Sequence, residues 1–417
     1  MNLDMAMVGE DSLKTLLARV AAQKQNPGFA MDRYFYRSAV AYERELDRVL
    51  FRSWIYAGHV SQLSNPGDFL QFKLGDDAII VCRDQQEQVN AFYNTCRHRG
   101  SRICEANAGN TKSFVCPYHG WVYNLDGSLH AAREMDARES FDPADYGLNS
   151  PQLTVFHGLI FINCDEGADS FEPELAIVES PLGAYDLAHA RVAEARTYQV
   201  SANWKLALEN YLECYHCATA HRAYAKLHTL KEPYARVKEI NEAMLARTSA
   251  QTGVQGLTET TFYAYTDALT FGGGVDHTRY ALYEGYLTGS QDGQPIAPLM
   301  GRFEGYDGGA GDFQFGPLSF MLNYPDHCLL YRFIPRGPAL TDMEVVWFVR
   351  GDAMEGVDYE LDELTWLWHR TTLEDERIIM RNSEGVNLRF YTPGPYHPEH
   401  EMLSMQFVKW YLDAMDA

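Results

Sequence analysis

The chain has 417 residues, 46% of them hydrophobic, which is enough for two or more domains with ordinary cores. Lys and Arg number 35 against 57 Asp and Glu, and a formal charge of −22 argues against binding nucleic acid or an anionic membrane surface through bulk charge. No apolar run reaches the roughly 18 to 20 residues that span a bilayer, and residues 1–24 lack the charged-then-apolar layout of a secretion leader, so a cytoplasmic protein with no membrane partner is expected.

Leu13, Leu16, Leu17 and Val20 recur at helical spacing and predict an N-terminal helical arm. From Trp54 to Asn163 the chain reads as short strands, among them FLQFKL (69–74), AIIVCR (78–83) and LIFIN (159–163), which suggests a small antiparallel barrel or sandwich. From Val200 the pattern changes. The stretch 203–228 is rich in helix formers with apolar residues three and four apart. Residues 253–312, rich in glycine and aromatics, suit irregular or strand structure. Residues 319–336 and 343–351 read as paired strands, and 356–383 and 400–416 as helices. The predicted fold is α+β: an all-β N-terminal domain, then an antiparallel sheet with helices packed on it.

Eight cysteines are too sparse for a disulfide scaffold in a chain of this length. In a reducing compartment, neighbouring Cys and His more often hold metal. Two motifs do this: Cys96-x-His98 and, after seventeen intervening residues, Cys116-x-x-His119. Two thiolates and two imidazoles suit zinc as a first reading. The flanks CRHRG (96–100) and CPYHGWVYNLDGSL (116–129) decide against it, because they resemble the cluster-binding loops of Rieske proteins. That resemblance implies a [2Fe-2S] cluster with Cys96 and Cys116 on one iron and His98 and His119 on the other. Gly100, Gly109 and Gly120 fit tight loops around it, and Cys104 reads as a small buried residue.

The second motif is Asn210-x-x-Glu213-x-x-His216-x-x-x-x-His221. On a helix, 210, 213 and 216 share a face, and a bend near Cys217 would bring both histidines to one metal. Two histidines need a carboxylate to complete a facial triad with open positions. The stretch NWKLALENYLECYHCATAH (203–221), with Trp204-Lys205 at its start, resembles the beginning of the catalytic domain of Rieske non-haem iron oxygenases. By that resemblance His216 and His221 bind a mononuclear Fe(II). The third ligand is an Asp on a late helix, which matches Asp375 in LEDERIIMRNSEGV (373–386), between Glu374 and Glu376. Asn210 belongs to the same site. Cys214 and Cys217 read as packing residues rather than soft ligands.

The resemblance includes WIYAGH (54–59) and the tail 391–411, and implies three units: a helical arm at 1–45 packing on the catalytic domain, a Rieske domain at 46–165 and a helix-grip-like catalytic domain at 166–417. It also implies a homotrimer in which the cluster of one subunit meets the iron of the next. Most members carry Asp where this chain has Glu213, and the carboxylate bridges a cluster histidine, here His119, to an iron histidine, here His216, across that interface. Glu at this position resembles the carnitine and glycine betaine monooxygenase branch. The expected partners are dioxygen, a small-molecule substrate and a separate NAD(P)H-dependent reductase or ferredoxin. An electron carrier needs only the first site, so the downstream triad argues for an oxygenase. Two substrate classes fit. One is a quaternary ammonium compound, demethylated or cleaved at C–N, with Tyr263, Tyr265, Phe271, Tyr280, Tyr283 and Tyr286 as candidate cage walls. The other is an aromatic acid or hydrocarbon, hydroxylated on the ring by a mono- or dioxygenase.

Overall fold

Short alternating runs separated by Gly, Asp and Asn become antiparallel strands. The computed structural model describes residues 11–228, 233–254 and 274–417. In the N-terminal half these are β1 (Ile55–His59), β2 (Asp68–Leu74), β3 (Asp77–Arg83), β4 (Val89–Tyr93), β5 (Ala108–Asn110), β6 (Phe114–Val115), β7 (Val122–Tyr123), β8 (Leu129–Ala131), β9 (Gln152–Phe156) and β10 (Leu159–Asn163). They form sheets of order β1-β10-β9 and β4-β3-β2-β5 and a ribbon β6-β7-β8. The β2–β3 hairpin turns on Gly75-Asp76 with Leu74 opposite Asp77, and Gly75 takes the positive φ that a two-residue turn requires. Gly109 is not in a tight loop. It lies in β5, where an added Cβ would come within 3.2 Å of the Phe69 ring. Cys104 is half-buried, its thiol directed at the Ala106 carbonyl.

The second half is built on six antiparallel strands in the order β11-β16-β15-β14-β13-β12. These are β11 (Ala190–Val200), β12 (Val275–Ala281), β13 (Gly309–Phe315), β14 (Ser319–Asn323), β15 (Cys328–Gly337) and β16 (Leu340–Arg350). The predicted pairing of 319–336 with 343–351 is present as the β14–β15–β16 meander. The edge strand β11 and the helix Tyr234–Thr252 have no counterpart in the sequence reading. The helix Leu361–Val386 buries Leu364, Leu367, Trp368, Thr371, Ile379 and Val386, the spacing of one helix face. No helix among the described residues is long and apolar enough to cross a membrane.

The arm reaches the far end of the chain. Lys24 pairs with Asp413 and Asp416 of the helix Met402–Asp416, and Phe35 meets Tyr411 edge-on. Beneath these contacts lies a charged group with no exposure: Lys205 Nζ is 2.5 Å from Glu45 Oε1. Trp204 Nε1 donates to the other Glu45 oxygen at 2.7 Å, and the Tyr411 hydroxyl donates to Oε1 at 2.6 Å. The Trp204-Lys205 dipeptide therefore joins the arm, the catalytic segment and the last helix at one carboxylate.

Candidate functional site

Two loops of matching shape build the first centre. The N–H of Cys96 donates to the Ser101 carbonyl at 2.9 Å, and that of Cys116 to the Trp121 carbonyl at 2.8 Å. The N–H groups of Gly100 and Gly120 return to the carbonyls of Cys96 and Cys116 at 2.9 and 3.0 Å. Both glycines have positive φ, +73° and +72°, which a side chain would oppose. The turns bring the buried thiols of Cys96 and Cys116 into contact. The His98 and His119 rings stand 4.5 Å apart between centroids, and His98 stacks on Trp121 at 4.9 Å. Burial raises the Cys116 thiol, but the N–H groups of Tyr118 and His119, together with Cys96, bring it below its ordinary value. The buried Nδ1 of His98 has no hydrogen-bond partner. Two thiols and an orphaned imidazole nitrogen facing one space are a donor set for an iron–sulfur cluster. Tyr118 and His119 lie exposed at the tip.

The second centre rests on a broken helix. The stretch 203–228 is not one helix with a bend. It forms Trp204–Tyr211, Cys217–Ala220 and Arg222–Leu227. Glu213 and His216 therefore lie in a turn, not on a helix face with Asn210. The Glu213 carboxylate accepts from the N–H groups of Tyr215 and His216, which competes with helix continuation. Cys214 and Cys217 are joined in a disulfide that closes the same turn, Cα atoms 4.9 Å apart. They pack, as expected, and the covalent bond between them is a further feature that the sequence did not suggest. The Cys217 sulfur lies close to both histidines, and once bonded to Cys214 it has no thiolate to offer a metal. Thiol titration of the denatured protein should find six groups without reductant and eight with it; eight without reductant would show the pair to be open.

The turn brings His216 and His221 together, and Asp375 reaches them from the long helix. The two Nε2 atoms are 3.0 Å apart, and Asp375 Oδ1 lies 3.3 Å from the first and 2.9 Å from the second. Each ring's other nitrogen faces a carboxylate: His216 Nδ1 is 2.5 Å from Glu213, and His221 Nδ1 is 3.1 Å from Glu374. A carboxylate only accepts, so each Nδ1 carries the proton and each Nε2 turns its lone pair inward. Donors about 2.1 Å from one cation and at right angles are about 3.0 Å apart, so the set fits a facial two-histidine, one-carboxylate metal site. Burial opposes positive charge at His216, but Asp375 and Glu213 favour it, as they would favour a cation held between the donors. Burial raises Asp375, yet the two histidines hold it below the usual carboxylate range. Asn210 Nδ2 is 3.4 Å from His216 Nε2, at the edge of the set. The support from Glu374, held in turn by Arg370 at 3.1 Å, was not expected. Its signal in the sequence was the i, i+4 Arg–Glu pair beside Asp375.

A cavity of 410 Å³ opens beside these donors. The sheet contributes Asp276 and Tyr280 of β12, Asp312 of β13 and Phe320 of β14 to its lining. Of the six aromatic residues considered as cage walls, Tyr263, Tyr265 and Phe271 lie outside the described residues, Tyr280 lines the cavity, and Tyr283 and Tyr286 do not.

The family model for the ring-hydroxylating alpha-subunit catalytic domain matches residues 187–417, and that for the Rieske [2Fe-2S] domain matches 53–146. The chain belongs to the Rieske ring-hydroxylating oxygenase family. This oxygenase is thus an oxidoreductase with a [2Fe-2S] cluster and a mononuclear iron. It is 33% identical over 399 residues to the glycine betaine monooxygenase oxygenase subunit of Pseudomonas aeruginosa, covering 94% of this chain and 90% of the relative. Its fold matches the quaternary ammonium Rieske monooxygenase CntA in complex with an inhibitor, with a TM-score of 0.71, 22% identity, and 95% and 97% of the two chains covered. It also matches naphthalene 1,2-dioxygenase from Rhodococcus, with a TM-score of 0.67, 21% identity, and 99% of each chain covered.

Proposed function

We propose that this Rieske oxygenase hydroxylates a C–H bond next to the nitrogen of a quaternary ammonium compound, leading to N-demethylation or C–N cleavage. The cavity carries the reading: its lining holds the metal donors together with the carboxylates of Asp276 and Asp312 and several aromatic rings. A wall bearing Asp276 and Asp312 suits a cation better than an arene, whose apolar surface gains nothing from a buried carboxylate. The relative at 33% identity, named for glycine betaine, supports the same class.

In this reading Cys96, Cys116, His98 and His119 hold the cluster, and His216, His221 and Asp375 hold the iron. Bound there, the cluster would supply single electrons, drawn from a separate NAD(P)H-dependent reductase, and the iron would supply the chemistry that activates dioxygen. One oxygen atom enters the C–H bond. The other leaves as water with two electrons and two protons. The carbinolamine then breaks its C–N bond, releasing formaldehyde and the smaller amine. Glu213 and Glu374 fix the two imidazoles so that both Nε2 atoms face the metal position. The units fall at 1–45, 46–165 and 166–417, and the protein works in the cytoplasm as a homotrimer. The exposed His119 tip and the exposed Tyr215 beside Glu213 are the surfaces that would meet between subunits.

With a reductase and NAD(P)H, oxygen uptake should be matched by formaldehyde from a quaternary ammonium substrate. Uptake matched instead by ring hydroxylation of an aromatic acid would refute the reading. A Glu213→Ala variant, loaded with excess iron and with its sulfide intact, should show oxidation of its reduced cluster by dioxygen with substrate bound slowed about 10- to 100-fold. An unchanged rate would remove Glu213 from the electron route.

A further inference from the structure

Side chains alternate across β12 and β13. Asp276, Tyr280 and Asp312 face the cavity, while His277, Phe313 and Phe315 are buried on the opposite side of the sheet. Thr278 pairs with Asp312 and Asp276 with Gln314, so the two carboxylates are diagonal neighbours on one face, about 7–8 Å apart at Cα. Like charges on a half-buried sheet face oppose folding unless something neutralises them. Here, among the described residues, no cationic side chain does, and Asp276 accepts from the backbone N–H of His277. Among the described residues, no hydrogen-bond donor or cationic side chain meets the Asp312 carboxylate, and burial, then Asp276, push it up to about 8. The buried hydroxyl of Tyr211, on the same cavity, also has no hydrogen-bond partner.

The rest of the lining sharpens the point. Glu213, Asp276, Asp312, Asp375 and Glu399 line the cavity, and no described Lys or Arg does. Glu213 and Asp375 are engaged with the histidine pair. Asp276 and Asp312 are not, and they stand among the rings of Tyr211, Tyr224 and Tyr280.

From this wall we infer that the substrate carries a net positive charge: an alkylammonium with no carboxylate of its own, held by Asp312 and Asp276 as counterions with the tyrosine rings around it. This rests on the proposed ammonium chemistry and narrows it. A betaine brings a carboxylate into a cavity where the basic side chains among the described lining residues are the imidazoles of His216, His221 and His400, the first two already held by carboxylates, and an aromatic acid does the same. A purely cationic amine neutralises the wall and gains the ring faces.

The test uses the holoenzyme with three probes: choline, glycine betaine and 3,3-dimethylbutan-1-ol, the neutral carbon analogue of choline. Wild type should bind choline at least about tenfold more tightly than the other two and release formaldehyde from it. Asp312→Asn should lose about tenfold or more for choline and change little for the neutral analogue. It should also melt higher than wild type, since an unpaired buried carboxylate is gone, and Asp276→Asn offers a second variant with the same expected pattern. Preference for glycine betaine, or undiminished choline binding by both variants, would overturn the inference while leaving the ammonium reading in place. Turnover of no ammonium compound would overturn both.

Discussion

An Asp375→Ala variant is expected to purify with the two irons of its [2Fe-2S] cluster intact, to lose the mononuclear iron and to form no product. Asp375 Oδ1 stands 3.3 and 2.9 Å from the Nε2 atoms of His216 and His221. Two neutral imidazoles alone bind a divalent ion weakly, and the third, anionic donor is what closes a facial set. The neighbouring acids serve as controls. Glu374 touches His221 only at Nδ1, so Glu374→Ala should keep a site and lose about 10- to 100-fold in iron affinity or activity. Glu376 makes no contact with either imidazole, and Glu376→Ala should bind iron as wild type does. Iron analysis and the cluster's visible absorption read both centres in one sample. Full iron retention by Asp375→Ala, with loss in Glu376→Ala, would move the ligand by one residue and undo the geometric argument.

A Lys205→Ala variant is expected to be less stable by about 3–5 kcal/mol, because it leaves the buried Glu45 carboxyl without its cation. Glu45 already accepts from Trp204 and Tyr411, so its carboxylate is held in place and does not swing to solvent. The cost should fall on the catalytic half and on the arm together, since this group joins them. The double variant Lys205→Met, Glu45→Gln removes both charges and should recover most of the loss. Chemical denaturation of the holoenzyme compares the three. A Lys205→Ala change within about 0.5 kcal/mol of wild type, the range of an ordinary surface substitution, would mean that the pair contributes nothing net.

Local signals carried much of this site into the sequence. The Cys-x-His and Cys-x-x-His loops are short, and each ends on a glycine that its turn demands, so their pairing was legible from residue type and spacing. The strands β2, β3, β10 and β14–β16 alternate or run apolar, and the late helices show a regular buried face. What escaped depends on the third dimension. The stretch after Tyr211 has helix formers, but the Glu213 side chain and the Cys214–Cys217 bond take the backbone out of the helix, and no propensity records that competition. β11 carries charges along much of its length and reads as a strand only beside β16. Glu374 becomes a partner of His221 across 153 residues of sequence. Asp276 and Asp312 look like ordinary acidic residues until the register of β12 on β13 turns both toward the cavity.

Iron and acid-labile sulfide per chain, measured on anaerobically purified wild-type protein, test the two-centre account most directly. The two irons and two sulfides of the cluster, with one further iron that Asp375→Ala loses, are the predicted result. Zinc without sulfide, or a third iron retained without Asp375, would contradict it.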